Sequence, residues 1–214
     1  RLVTQPLGRL WWDRAPRPLV ATHTEIGVVN DAASHVTVST QVDLLATRPK
    51  VGIWRSSLRD RVISTTNKDL PNTVTSVKVN GKPADFVHLG SQLLVAIDPP
   101  AEAGTTIRVE VANQGNLAIR PGSGRSWTLG TWAWHPDPGL NGDMSTSIIT
   151  LEVPKDLVPF ASGTMVSTTT GEVYTVLKTK LERPMQFVVA AAGSYQLYSD
   201  TRKGLTCTVG SYLF

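Results

Sequence analysis

Apolar and polar residues alternate along most of this chain, and the alternation predicts strands. From His35 to Leu44, Val36, Val38, Val42 and Leu44 fall on one face while Thr37, Ser39, Gln41 and Asp43 fall on the other. Ile149, Leu151 and Val153 alternate with Thr150 and Glu152 in the same way. Pro154 predicts the end of that strand, because proline has no N–H to give the ladder. Ile107, Val109 and Val111 alternate with Arg108 and Glu110 just after Gly104, and Val51 to Arg55 reads as a short strand. Val74 to Val79 runs into Asn80-Gly81, a strong hairpin signal because both residues tolerate positive φ; the return strand is expected to carry Ala84 and Phe86. Leu93, Val95 and Ile97 form a further strand, expected to stop at Asp98-Pro99-Pro100. Phe187 to Ala192 is a near-continuous apolar run with small residues, as in a strand covered on both faces, and Gly193 breaks it.

No apolar stripe at i, i+3, i+4, i+7 holds for three turns, so helices are not expected. The predicted fold class is all-β: two packed, mostly antiparallel sheets, a large curved one with a smaller one against it, sandwich-like. Residues 1–21, with Trp11-Trp12 and Pro16-Arg17-Pro18, read as an irregular segment packing its aromatics onto the body. Residues 22–214 read as one β-domain, with Arg120-Pro-Gly-Ser-Gly124 as a loop between sheets.

The middle of the chain reads VKVNG (77–81), Phe86, LLVAI (93–97) and PPAEAGTTIRVEVANQG (99–115). Later come ITLEVPKDLVPFASG (149–163), a Thr-rich hairpin and PMQFVVAAAGSY (184–195). In order and spacing these segments resemble the N-terminal β-domain of the zinc aminopeptidases related to membrane alanyl aminopeptidase and leukotriene hydrolase. The resemblance covers residues 22–214. It implies a domain that accompanies the chemistry without performing it: it covers a catalytic domain of the same polypeptide and borders the substrate cleft. Zinc would then belong to that catalytic domain, with a peptide substrate reaching the cleft edge. One segment departs from the family: GTWAWHPDPG (130–139) lacks the acidic or glutamine pocket residue and the D-E-P run that the family carries there. That departure implies a divergent bacterial-type branch, or a relative that has lost its catalytic half.

The chemistry-bearing residues agree with a non-catalytic chain. A zinc site of that family needs H-E-x-x-H, which puts two histidines one helical turn apart. Of His23, His35, His88 and His135, no two stand four apart, and no H-E dipeptide occurs. No G-x-S-x-G elbow and no glycine-rich phosphate loop is present. Asp137, Asn141 and Asp143, set among prolines and glycines, read as a polar turn in preference to a calcium site. The expectation is that the chain alone is not a peptidase, with no catalytic, cofactor-binding or metal residues of its own.

Composition adds little. Charged residues make up 18% against roughly 25% in average globular chains, with 25 threonines in their place. That balance leans towards an exported or cell-envelope protein. The net charge is +4, and the basic residues are scattered, so no nucleic-acid partner is expected. No apolar run reaches the length of a membrane-spanning helix. The single cysteine, Cys207, alternates with Leu205 and Val209 and reads as a small core residue.

The aromatic group Trp127, Trp132, Trp134 and His135 is the one segment with a functional flavour. On a strand Trp132 and Trp134 share a face. If buried, they are core or domain-interface packing. If exposed, they form a cleft wall or a ligand face. Exposure would support the alternative function, a stand-alone β-sandwich module that binds carbohydrate or peptide through tryptophan; a purely structural sandwich is a third reading.

Overall fold

The computed structural model describes residues 17–32, 35–63, 69–118, 126–129, 134–137, 145–185, 188–202 and 205–212. Trp11, Trp12, Trp132, Asn141, Asp143, Phe187, the loop from Arg120 to Gly124 and the side chain of Cys207 lie outside the described residues. The described chain is all strand and turn. The first half holds β1 (Leu19–Ala32), β2 (His35–Ala46), β3 (Val51–Ser57), β4 (Arg61–Ile63), β5 (Asp69–Val79), β6 (Lys82–Pro83), β7 (Phe86–Leu89), β8 (Gln92–Ala101) and β9 (Thr106–Gly115). The second half holds β10 (Trp127–Leu129), β11 (Ser145–Pro154), β12 (Val158–Ala161), β13 (Thr164–Thr170), β14 (Tyr174–Met185), β15 (Ala190–Gly193), β16 (Tyr195–Arg202) and β17 (Leu205–Tyr212).

One nine-stranded sheet, ordered β13-β14-β11-β1-β2-β9-β5-β4 with β6 beside β5, forms the frame. Its pairs are antiparallel except β1 with β11. Two three-stranded sheets, β10-β15-β12 and β3-β8-β7, and the hairpin β16-β17 complete the fold.

Strand β2 shows how the frame carries two cores. Val36, Val38, Thr40, Val42, Leu44 and Ala46 all point inward, as their period of two requires. Val36 and Val38 join one apolar cluster with Ile26, Ile149, Leu151, Trp127, Trp134 and Ala190 and Ala192 of β15. Val42, Leu44 and Ala46 join the other, with Trp54, Leu93, Val95, Ile107 and Val109. The two small sheets therefore pack side by side on one face of the large sheet. Each large aliphatic side chain buried there stabilises the fold by about 1.5–3 kcal/mol.

Two β-bulges keep the apolar face inward. Leu19 and Ala21 face the core at odd positions of β1, whereas Thr24, Ile26 and Val28 do so at even ones; the register shift between Ala21 and His23 absorbs the change. In β5 the shift between Val74 and Ser76 does the same, and Val77 and Val79 point inward beyond it.

The structure matches the predicted alternation in β2, β9 and β11, and Asn80 and Gly81 take φ of 51° and 79° as the hairpin requires. Five local expectations need correcting. Leu19–Ala21, read with the irregular segment 1–21, open strand β1 and pair with β2 instead. β6 is only two residues long, and Phe86 belongs to β7 in a different sheet. β8 does not stop at Asp98 but runs to Ala101. Its pairing with β3 jumps from Ile53↔Ala96 to Val51↔Ala101, so Pro99 and Pro100 lie in a bulge where no ladder N–H is needed. The late apolar run forms a strand only at Ala190–Gly193. Trp134 sits in a bend, not on a strand.

Candidate functional site: a buried aromatic segment and an open apolar face

Polar side chains collect where the two cores meet. Asn113 of β9 is fully buried, and its amide group donates to Asn72 Oδ1 at 2.8 Å and to the Trp134 carbonyl at 3.0 Å. Asn72 in turn donates to the Arg59 carbonyl at 2.9 Å. On the other side Trp127 Nε1–H donates to Asn30 Oδ1 at 3.1 Å, and Asn30 donates to the His35 carbonyl at 2.9 Å. Buried polar groups are costly without such partners, so these bonds fix the placement of both tryptophans.

The segment Trp134–Asp137 is fastened at both ends. Asn113 holds Trp134, while Asp137 and Ser57 exchange two backbone hydrogen bonds at 2.8 and 3.0 Å. His135 lies between, buried, edge-on to Trp134 with ring centroids 4.5 Å apart. Its Nδ1–H donates to the Pro136 carbonyl at 3.0 Å. Burial pushes the His135 pKa below its ordinary value, and the opposing pull of Asp137 is weaker.

Of the aromatic group read from the sequence, Trp127 and Trp134 are interior, at 0% and 2% exposure, and His135 is interior too; Trp132 is outside the described residues. The structure brings Trp127 and Trp134 into the same core cluster. Rings buried to this degree pack within the chain and present no stacking face to solvent.

The exposed apolar surface lies elsewhere. On the outer side of β3-β8-β7, Ile53 is 62% exposed, Val87 58%, Leu89 75% and Leu94 37%. Val87 stands opposite Leu94 across the β7–β8 ladder, and Arg55 opposite Leu94 across β3–β8, so the patch crosses all three strands. The sequence signal for this face was present: Leu93, Leu94 and Val95 are apolar on both sides of the strand. The open face of the large sheet is polar by contrast. Its groove, about 370 Å³, is lined by Glu25, Gly27, Ser39, Gln41, Lys78 and Glu110.

Three of the four histidines have partners in separate parts of the fold. His23 Nδ1 meets Thr146 Oγ1 at 2.8 Å, His88 Nε2 the Leu58 carbonyl at 3.1 Å, and His135 the Pro136 carbonyl. No group of three His, Cys, Asp or Glu side chains suited to a metal occurs among the described residues.

Solved structures share this architecture. A two-domain M1 zinc metallopeptidase bound to L-tryptophan superposes at TM-score 0.72 and 16% identity, over 90% of this chain and 47% of that one. An M1 zinc metallopeptidase from Deinococcus radiodurans superposes at TM-score 0.71 and 18% identity, over 86% and 44%. A third, from the same organism and bound to a Tyr-Ser-Ala substrate, gives TM-score 0.72 and 17% identity over 90% and 47%. The chain has the fold of one part of these metallopeptidases. It spans less than half the length of each. No family model and no curated sequence matches it. No helix among the described residues is long and apolar enough to cross a membrane.

Proposed function

We propose that this chain is the non-catalytic amino-terminal β-domain of a zinc metallopeptidase, covering the catalytic half and forming one wall of the substrate cleft. The observation that carries the reading is the coverage: nine-tenths of this chain superposes on less than half of a two-domain enzyme. The sequence itself lacks H-E-x-x-H, and its histidines are spread over separate elements, so the zinc chemistry falls to the other half. The exposed row Ile53, Leu94, Val87 and Leu89 suits the docking of that half, since contiguous apolar surface of this kind marks an interaction site. Arg55 beside Leu94 supplies a charge at the margin of the same face.

The test is to read the coding frame beyond Phe214 and to assay its full product. The expected result is H-E-x-x-H with a downstream Glu, together with zinc-dependent aminopeptidase activity. Ile53→Glu with Leu89→Glu should then lower that activity at least tenfold while leaving the all-β circular dichroism of the isolated chain unchanged. A frame that continues without the zinc motif would overturn the proposal.

A further inference from the structure

We propose that Asn80 is a self-modification site: in the folded chain its side-chain amide is displaced by the backbone nitrogen of Gly81, leaving aspartate and isoaspartate at the tip of the β5–β6 hairpin. Asn80 and Gly81 are both exposed and fill the two turn positions, with φ of 51° and 79°. The turn leaves the reacting groups uncommitted. The Gly81 N–H, the nucleophile, donates to no carbonyl among the described residues, whereas Asn80 N–H donates to the Arg108 carbonyl at 2.8 Å and Ala84 N–H to the Val77 carbonyl at 3.1 Å. Asn80 Oδ1 accepts from the Arg108 backbone N–H at 2.9 Å. A donor aimed at that oxygen draws charge from Cγ and meets the negative charge that builds on Oδ1 during attack. The side-chain NH2, the leaving group, makes no hydrogen bond among the described residues.

Closing the five-membered ring requires the Asn80–Gly81 peptide plane to turn out of its hairpin orientation, towards the side chain. Gly81 permits that motion: a Cβ built there meets nothing within 4 Å, and glycine takes either sign of φ. β6 holds the returning side of the turn with two residues. The electrophile meanwhile stays tethered to β9 through the Arg108 N–H. In the reaction Gly81 N bonds to Asn80 Cγ, the Cγ–Nδ2 bond breaks, and the Gly81 proton leaves with the amide as ammonia. The cyclic imide then takes up one water. Opening at the side-chain carbonyl gives aspartate, and opening at the main-chain carbonyl gives isoaspartate. Either product adds a carboxylate and lowers the formal net charge of +4 by one. The aspartate still accepts from the Arg108 N–H. The isoaspartate adds a methylene to the main chain of a two-residue turn, which pushes the Val79↔Lys82 pair out of register. This inference does not depend on the metallopeptidase reading.

The experiment is peptide mapping of the whole chain after storage in mildly alkaline buffer, native and in urea, with Asn80 and Asn141 read on separate peptides. Asn80→Asp supplies the chromatographic standard for the aspartate product. In the native chain the Asn80 peptide should exchange NH2 for OH and accept a methyl group from an isoaspartyl methyltransferase. Its rate should lie within about tenfold of the rate in urea, because an exposed turn opens at little cost. Gly81→Ala should slow conversion about tenfold in urea, where folding plays no part, since a Cβ hinders the attacking nitrogen. A native Asn80 peptide that converts more slowly than that margin allows, or not at all, would overturn the proposal. So would Gly81→Ala converting as fast as the parent.

Discussion

Replacing Asn113 with aspartate tests whether the junction between the two cores is held by a donor. The substitution keeps the shape of the side chain and exchanges the amide group for an oxygen. Both acceptors it serves, Asn72 Oδ1 and the Trp134 carbonyl, then lose their donor and face a carboxylate with no exposure to solvent. Fully buried carboxyl groups have pKa values raised by about 3–5 units. At about 1.4 kcal/mol per unit, a three-unit rise makes Asn113→Asp roughly 4 kcal/mol less stable than the parent at pH 7. The sign follows from linkage. The folded pKa lies above the unfolded value of about 3.9, so the deficit is small below pH 4 and grows as pH rises towards the folded pKa. In acid the introduced carboxyl group is protonated; its O–H is a donor and restores one of the two bonds. Urea unfolding followed by tryptophan fluorescence, parent against variant from pH 4 to 7, reads this directly. A deficit at pH 7 below about 1 kcal/mol, or one that does not change with pH, would show that Asn113 is not the buried donor described above.

His135 gives the parent chain its own pH dependence. Its pKa is lowered by burial, so the unfolded state takes up the proton first and stability falls as pH drops below about 6.5, by at most about 1.4 kcal/mol per unit. His135→Gln retains a donor for the Pro136 carbonyl and should flatten that slope between pH 6.5 and 5, as measured by thermal melts at each pH. Gly115 and Gly27 should respond differently to alanine. A Cβ at Gly115 meets the Pro71 backbone oxygen at 2.0 Å, whereas one at Gly27 meets only the tip of Ser39 at 2.5 Å. Gly115→Ala should therefore cost about 1–3 kcal/mol or more as strands β5 and β9 part, and Gly27→Ala well under about 1 kcal/mol as Ser39 turns away, with urea midpoints as the check.

What the sequence disclosed follows from local physics. β2, β9 and β11 each bury one face and wet the other, so their alternation is visible in the residues themselves. Asn80-Gly81 is legible because the turn chemistry is local. The bulges at the Ala21/His23 and Val74/Ser76 shifts were not, since each changes which parity faces inward without altering composition. The same holds for Pro99 and Pro100, whose tolerance depends on a strand some fifty residues earlier. Trp134 was legible as core packing, but the contacts that hold it were not: Asn113, 21 residues away, and the Ser57–Asp137 bridge leave no periodic mark.

The same reasoning separates the two apolar surfaces that composition alone cannot tell apart. Trp127 and Trp134 belong to the aromatic group that the sequence leaves between core packing and a ligand face; each is tied inward by a hydrogen bond from or to a buried asparagine, and both fill the core. Ile53, Val87, Leu89 and Leu94 look like ordinary strand interior, yet they stand on the outer side of a sheet whose inner side is already occupied by Trp54, Leu93 and Val95. A three-stranded sheet with aliphatic residues on both faces satisfies one face within this chain. The other is exposed, which is why the proposed docking face is set on β3-β8-β7 and not on the tryptophans.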